Sequence, residues 1–152
     1  MTDHGLDMSV IEPYLQAHPY PRIFLTVSGA HLYGFASPDS DYDLRGCHLI
    51  PARDMLRIST PRETYEVLDR DAPIEMDIVT HDARKYFDML VGKNGYVLEQ
   101  IFSPLVIEAS ADLEELKDIA RSCITRHHRH HFRSFASKQW DHVANAANRH
   151  VK

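Results

Sequence analysis

Asp41 and Asp43, separated by one residue and preceded by the small turn Ser28-Gly29-Ala30, are the part of this chain best equipped for chemistry. Both lie in a run of strand-forming residues, where side chains alternate faces with period two, so both carboxylates are expected to point the same way. Two like charges held that close call for a cation between them, and a divalent metal fits the need. A turn with free backbone N–H groups nearby suits phosphate. Metal beside phosphate implies nucleotide chemistry. Asp77 extends the set. It lies in the alternating run Ile74-Glu-Met-Asp-Ile-Val79, with Ile74, Met76 and Ile78 on one face and Glu75, Asp77 and Val79 on the other. If the two runs are neighbours, three carboxylates converge and can hold two divalent cations for in-line phosphoryl or nucleotidyl displacement. Asp41 and Asp43 would carry the ion of a triphosphate. Asp77 would join them at the second ion and help deprotonate an attacking hydroxyl.

These residues need elements to hold them. Met8–His18 has Val10, Ile11, Tyr14 and Leu15 at helical spacing and is stopped by Pro19 and Pro21. Arg22–Val27 is a short apolar, β-rich run and reads as a buried strand. A turn at Ser28-Gly-Ala, a short helix from His31 and a second turn at Ser37–Ser40 lead into a strand over Tyr42–Ile50. Arg57–Leu68 reads as a strand or an irregular connection. After the strand at 74–79, Thr80 is the expected N-cap of a helix with Tyr86, Phe87, Leu90 and Val91 as its apolar stripe. Gly92–Gly95 breaks it, a second helical segment buries Val97, Leu98 and Ile101, and Leu105–Ile107 is a last short strand. From Ala111 the pattern is helical, with Leu113, Leu116, Ile119, Ala120, Cys123 and Ile124 on one side and Phe132, Phe135 and Trp140 as later apolar anchors. The polar ending Asn148-Arg-His-Val-Lys152 reads as a segment that stops short of a helical partner. The order predicts an α/β (α+β) fold: one small mixed β-sheet flanked by helices, with a domain over 1–110 and a helical C-terminal segment over 111–152.

The totals narrow the function classes. At 152 residues, 43% hydrophobic and 26% charged, the chain has the composition of an ordinary globular domain. A net charge of −5 argues against binding nucleic acid over the whole surface. The run Arg126-His-His-Arg-His-His131, continued by Arg133, offers a local basic site over 126–133. His127 and His131, four apart, could share a metal, but no Cys or carboxylate completes the set and the flanking arginines repel a cation, so a basic helix face is the better reading. It suits RNA, DNA or an acidic partner. Cys47 and Cys123 match no zinc spacing and read as reduced thiols. No apolar stretch reaches membrane-spanning length and the N-terminus lacks a signal pattern, so a cytoplasmic protein without a membrane partner is expected. Haloacid-dehalogenase-type phosphatases also carry Asp-x-Asp after a strand, but here Leu44-Arg45-Gly46 continues the strand and the preceding glycine turn would go unexplained.

Gly29-Ala30, a ten-residue spacer, Asp41-Tyr-Asp43-Leu44 and a later strand Asp77 resemble the nucleotidyltransferase domain of the DNA polymerase β superfamily. The likeness is greatest to small bacterial and phage members whose signature reads Ser-Gly-x-His-x-Tyr-Gly…Pro-Asp-Ser-Asp-x-Asp-x-Arg-Gly. Further matches run through Glu75-Met-Asp77-Ile-Val-x-His81-Asp82 and Asn94-Gly…Leu98-Glu99…Phe102-Ser-Pro104, so the resemblance covers most of 22–107. It implies a nucleotidyltransferase-like fold and transfer of a nucleoside monophosphate from a nucleoside triphosphate to a hydroxyl, with pyrophosphate released. The implied cofactor is Mg²⁺ or Mn²⁺ on Asp41, Asp43 and Asp77. The acceptor is left open among protein, RNA and small molecules. Two positions depart from the pattern. Ala30 stands where the family usually has a phosphate-binding Ser, leaving backbone N–H groups and Ser28 for that task. His31 and Tyr33 stand where minimal members often have Arg, and either could stack on or bind the nucleotide. Ser40 is a candidate for orienting Asp41, and Arg45 either approaches a phosphate or forms a salt bridge. Lys93 and Asn94 read as a solvated loop. The departures keep a second function open, a catalytically silent nucleotide- or metal-binding module that regulates or docks to a partner.

Overall fold

The computed structural model describes residues 5–149. Helix α1 (Met8–Ala17) is followed by β1 (Arg22–Val27), α2 (Gly29–Tyr33), β2 (Tyr42–His48), α3 (Ala52–Met55), β3 (Thr64–Asp69) and β4 (Met76–Asp82). Then come α4 (Ala83–Val91), α5 (Gly95–Phe102), β5 (Val106–Ala109), α6 (Leu113–Cys123) and α7 (His128–Arg149). The strands form one five-stranded sheet in the order β3-β4-β2-β1-β5. β2 and β4 are parallel, and the other neighbouring pairs are antiparallel. The sheet is mixed and flanked by helices, as the order of elements predicts.

Period-two alternation gives this sheet two apolar faces. Leu25, Val27, Tyr42, Leu44, Met76 and Ile78 pack with Ile11 of α1 on one side. On the other, Phe24 and Cys47 meet Tyr86 and Leu90 of α4, Val97 and Ile101 of α5, and Leu113, Leu116 and Ala120 of α6. Full burial of a Leu, Ile, Val or Phe side chain is worth about 1.5–3 kcal/mol, so both layers contribute to holding the sheet against its helices. Asp43, Arg45 and Cys47 share the parity that faces α4 and α5. Asp77, Val79 and His81 do the same on β4, and the parallel register sets Asp43 opposite Asp77 and Arg45 opposite Val79.

Several local expectations change. Thr80 is no N-cap. The β2/β4 ladder runs on to His48↔Asp82, so β4 ends at Asp82, whose carboxylate caps α4 by accepting from Arg84 N at 3.1 Å. Ladder pairing at Thr80 outcompetes the capping preference of an isolated threonine. Val91 is 71% exposed and leaves the α4 stripe to Tyr86, Phe87 and Leu90. Gly95 belongs to α5, and Asn94 caps that helix by accepting from Tyr96 N at 3.0 Å. The C-terminal pattern is two helices rather than one. The chain turns between Cys123 and His128, where Thr125 and His128 bond to one another. Phe132, Phe135 and Trp140 are 40%, 37% and 73% exposed, so they are weak anchors. The chain's last three residues and its first four lie outside the described residues, and with them part of the polar ending and of the N-terminal stretch. Among the described residues no helix is long and apolar enough to cross a membrane.

Candidate active site

The Ser28–Ala30 turn sits directly on the aspartate strand. Ser28 N donates to Asp43 O at 2.8 Å, extending the β1/β2 ladder beyond Val27↔Leu44. Gly29 has φ +59°, and a Cβ there would lie 2.0 Å from Asp43 Oδ2. Only glycine fits both that backbone conformation and that approach. Ser28 is the N-cap residue of α2 but makes no side-chain cap bond, so its hydroxyl is not committed to the helix.

Asp43 and Asp77 face one another across β2 and β4, joined by Arg45. The guanidinium Nη2 donates to Asp43 Oδ1 at 2.7 Å and to Asp77 Oδ2 at 2.6 Å. Its Nη1 donates to the backbone carbonyls of Asp77 at 2.7 Å and Leu44 at 3.0 Å. Burial pushes the Asp43 carboxyl above its usual range; Arg45 opposes the rise, while the Asp41 and Asp77 charges add to it. Asp41 itself is exposed and precedes β2, which begins at Tyr42. The expected alternation of Asp41 with Asp43 therefore does not hold on a ladder. Among the described residues no three His, Cys, Asp or Glu side chains come together to hold an ion, and the three-carboxylate convergence is reduced to an opposed pair plus a nearby exposed charge.

A cleft of about 380 Å³ opens beside this pair, onto Asp43 and Arg45. Ser28, Gly29, Tyr33, Asp43 and Arg45 line it, together with Val79, His81, Asn94, Tyr96, Glu99 and Phe135. The Tyr33 hydroxyl donates to Glu99 Oε2 at 2.7 Å, which pushes the phenol up to about 12. His81 Nδ1 pairs with Thr64 Oγ1 at 3.0 Å, and burial, then Lys85 and Arg45, lower its pKa. Tyr96 packs edge-on against His131 at 4.6 Å and Phe135 at 5.8 Å. This brings the start of α7 to the mouth of the cleft, closely enough that a Cβ on Gly95 would meet His131 Cδ2 at 2.6 Å.

The model of the RNA repair pathway DNA polymerase β family, RlaP, matches residues 6–152. The chain belongs to the RlaP family. The superfamily resemblance carried by Gly29-Ala30, Asp41-x-Asp43 and Asp77 is borne out at this level. An uncharacterised protein of Methanocaldococcus jannaschii is 30% identical to this RlaP member over 114 residues, 75% of the chain and 46% of the relative. The chain thus spans about half the length of that curated relative. A nucleotidyltransferase-like protein from Exiguobacterium sibiricum has the same fold, with a TM-score of 0.50 at 15% identity over 75% of this chain and 37% of its own.

In this RlaP chain several sequence-derived candidates fall away from the cleft. Ala30, His31, Ser40, Asp41 and Asp77 are not among its lining residues, although Asp77 touches it through Arg45. His31 packs edge-on against Tyr42 at 5.4 Å. Ser40 Oγ accepts from Ser37 N at 2.9 Å and so closes its own turn. His127 stacks on His130 while His131 turns to Tyr96, so those two histidines do not share a ligand position. Tyr96, Glu99, His81 and Phe135 were not assigned to the site from sequence. His81 was findable, since it shares the parity of Asp77 on an alternating strand. Phe135 was not, because its position depends on how α7 packs on α5.

Proposed function

We propose that this chain is a metal-dependent nucleotidyltransferase that moves a nucleoside monophosphate from a nucleoside triphosphate to a hydroxyl and releases pyrophosphate. The observation that carries the reading is the in-register opposition of Asp43 and Asp77 beside Gly29, with Asp43 and Arg45 lining an open cleft. A divalent cation suits the donor set: hard carboxylate oxygens, close enough that one guanidinium already spans them. Asp43 and Asp77 would hold Mg²⁺ or Mn²⁺, with Asp41 adding charge from the strand entrance. When bound, the ion neutralises phosphate charge and lowers the pKa of an attacking hydroxyl. The chain's own part is to position. Gly29 lets the turn approach, and Ser28 and Arg45 offer donors to phosphate oxygens. Asp77, the more exposed of the two carboxylates, would help deprotonate the attacking hydroxyl.

For the acceptor we favour an RNA hydroxyl. The family description supports it, as do exposed Arg126, Arg129 and Arg133, in and just before the helix whose Phe135 lines the cleft. Incubation of the protein with each α-labelled nucleoside triphosphate, Mg²⁺ and an RNA pool should move label to RNA, and Asp77→Asn should abolish the transfer. Transfer undiminished in that variant would refute the reading. The silent binding module is the second reading, favoured by Ala30 and by the internal Arg45 bridge. It predicts nucleotide binding without turnover on any acceptor.

A further inference from the structure

Arg45 occupies the place where a cation belongs. One of its nitrogens bridges Asp43 Oδ1 and Asp77 Oδ2 at 2.7 and 2.6 Å, and its other terminal nitrogen is fixed to two carbonyls. The second oxygen of Asp43, Oδ2, lies against the Gly29 turn, where even a Cβ would come within 2.0 Å of it. The oxygen of Asp43 that faces Asp77 is therefore the one Arg45 already holds. An ion between the carboxylates and a guanidinium on the same oxygens exclude each other by space and by charge.

The bridge has one open direction. On its own strand pair Arg45 is flanked by Thr26 and Val79, neither of which offers an anion. The cleft, by contrast, contains the Arg45 side chain among its walls. Its other carboxylate wall residue, Glu99, is engaged by the Tyr33 hydroxyl. A guanidinium leaving Asp43 and Asp77 moves into the volume that a nucleotide's phosphates would fill, and its planar fork matches phosphate oxygens in a way a lysine would not.

We infer that Arg45 is an internal counter-ion that a divalent cation displaces, and that the displaced guanidinium then grips the phosphate chain, so that ion and nucleotide load in that order. The inference rests on the nucleotidyltransferase reading and adds a positioning role that the aspartates alone do not imply. It predicts effects of opposite sign from one substitution. Without Arg45 the ion meets no competitor and binds more tightly, while the phosphate chain loses a ligand and binds more weakly.

The test uses Mn²⁺, followed by electron paramagnetic resonance without nucleotide, and tripolyphosphate, followed by calorimetry with and without Mg²⁺. Arg45→Ala should bind Mn²⁺ about tenfold more tightly than the unmodified chain and tripolyphosphate in saturating Mg²⁺ about tenfold more weakly, the size expected for one charge-assisted contact. The unmodified chain should bind tripolyphosphate only when the ion is present. Arg45→Gln, which retains hydrogen-bonding capacity without the charge, should shift both affinities the same way and serves if the alanine variant fails to fold. Weakening of both ligands, or an unchanged Mn²⁺ affinity, overturns the inference while leaving the nucleotidyltransferase reading intact. An unmodified chain that takes up neither Mn²⁺ nor the Mg²⁺–tripolyphosphate complex overturns both.

Discussion

Two polar clusters bridge the same parallel strands, β2 and β4, and treat charge in opposite ways. At the start of the strands, on the face toward α4 and α5, Arg45 pairs with both Asp43 and Asp77, and Asp43 and Arg45 open onto a cleft. At the far end, on the face toward α1, Thr80 Oγ1 lies 2.8 Å from His48 Nδ1 and 2.9 Å from His18 Nε2. There burial suppresses charge: it lowers the pKa of His18 and takes that of His48 down to about 4. The first cluster is bridged by a cation, Arg45, that the proposed loading would replace. The second has nothing to exchange and serves as a fixed polar clasp between α1 and the sheet. One strand pair thus carries a replaceable charge at one end and a locked neutral network at the other.

Substitutions should separate the two ends. Asp43→Asn should lower nucleotidyl transfer by at least about a hundredfold, since it removes one of the two carboxylates that would hold the ion. It should leave the melting temperature unchanged or raised, because burial already disfavours the Asp43 carboxylate. Activity and thermal melts on one preparation check both. Thr80→Val should do the reverse. It strips a buried partner from two histidines and should cost about 2 kcal/mol in chemical denaturation, with transfer activity retained.

A smaller effect is expected from pH. The folded-state pKa values of His18 and His48 lie below the ordinary value of 6.5, so in the window down to about 4 the unfolded chain binds more protons than the folded one. Their contribution is fully present above pH 6.5 and is lost as pH falls toward 4. Melts between pH 7.5 and 4.5 should show a decline that His48→Asn flattens. A decline of the same slope in that variant would place the pH sensitivity elsewhere.

Much of the fold was legible because its signals are local. Alternation of Ile74, Met76 and Ile78 against Glu75, Asp77 and Val79 defines a two-faced strand, and the β-rich run at Arg22–Val27 admits little else. The glycine turn before an Asp-x-Asp was informative for the same reason: Gly29 is demanded by a contact with Asp43 that no other residue permits. What escaped depends on pairing. The Arg45 bridge exists only because β2 and β4 are parallel with Asp43 opposite Asp77, a register that no short window specifies. Asp41 falls outside the ladder because the turn closed by Ser40 delivers the chain to β2 only at Tyr42. The helical stretch beyond Ala111 hides a break at Ile124–His127, since Thr125 and His128 form local bonds that periodicity does not register. The aromatic cleft wall of Tyr96 and Phe135 required two helices to meet.

If the opposed carboxylates hold the ion that carries the nucleotide, nucleotide binding must depend on both. The decisive measurement is calorimetric titration with a non-hydrolysable α,β-methylene nucleoside triphosphate, in Mg²⁺ and then in EDTA, on the unmodified chain and on an Asp43→Asn/Asp77→Asn variant. Binding should require Mg²⁺ and disappear in the variant. Equal binding in EDTA, or in the variant, would show that the carboxylates do not hold that ion.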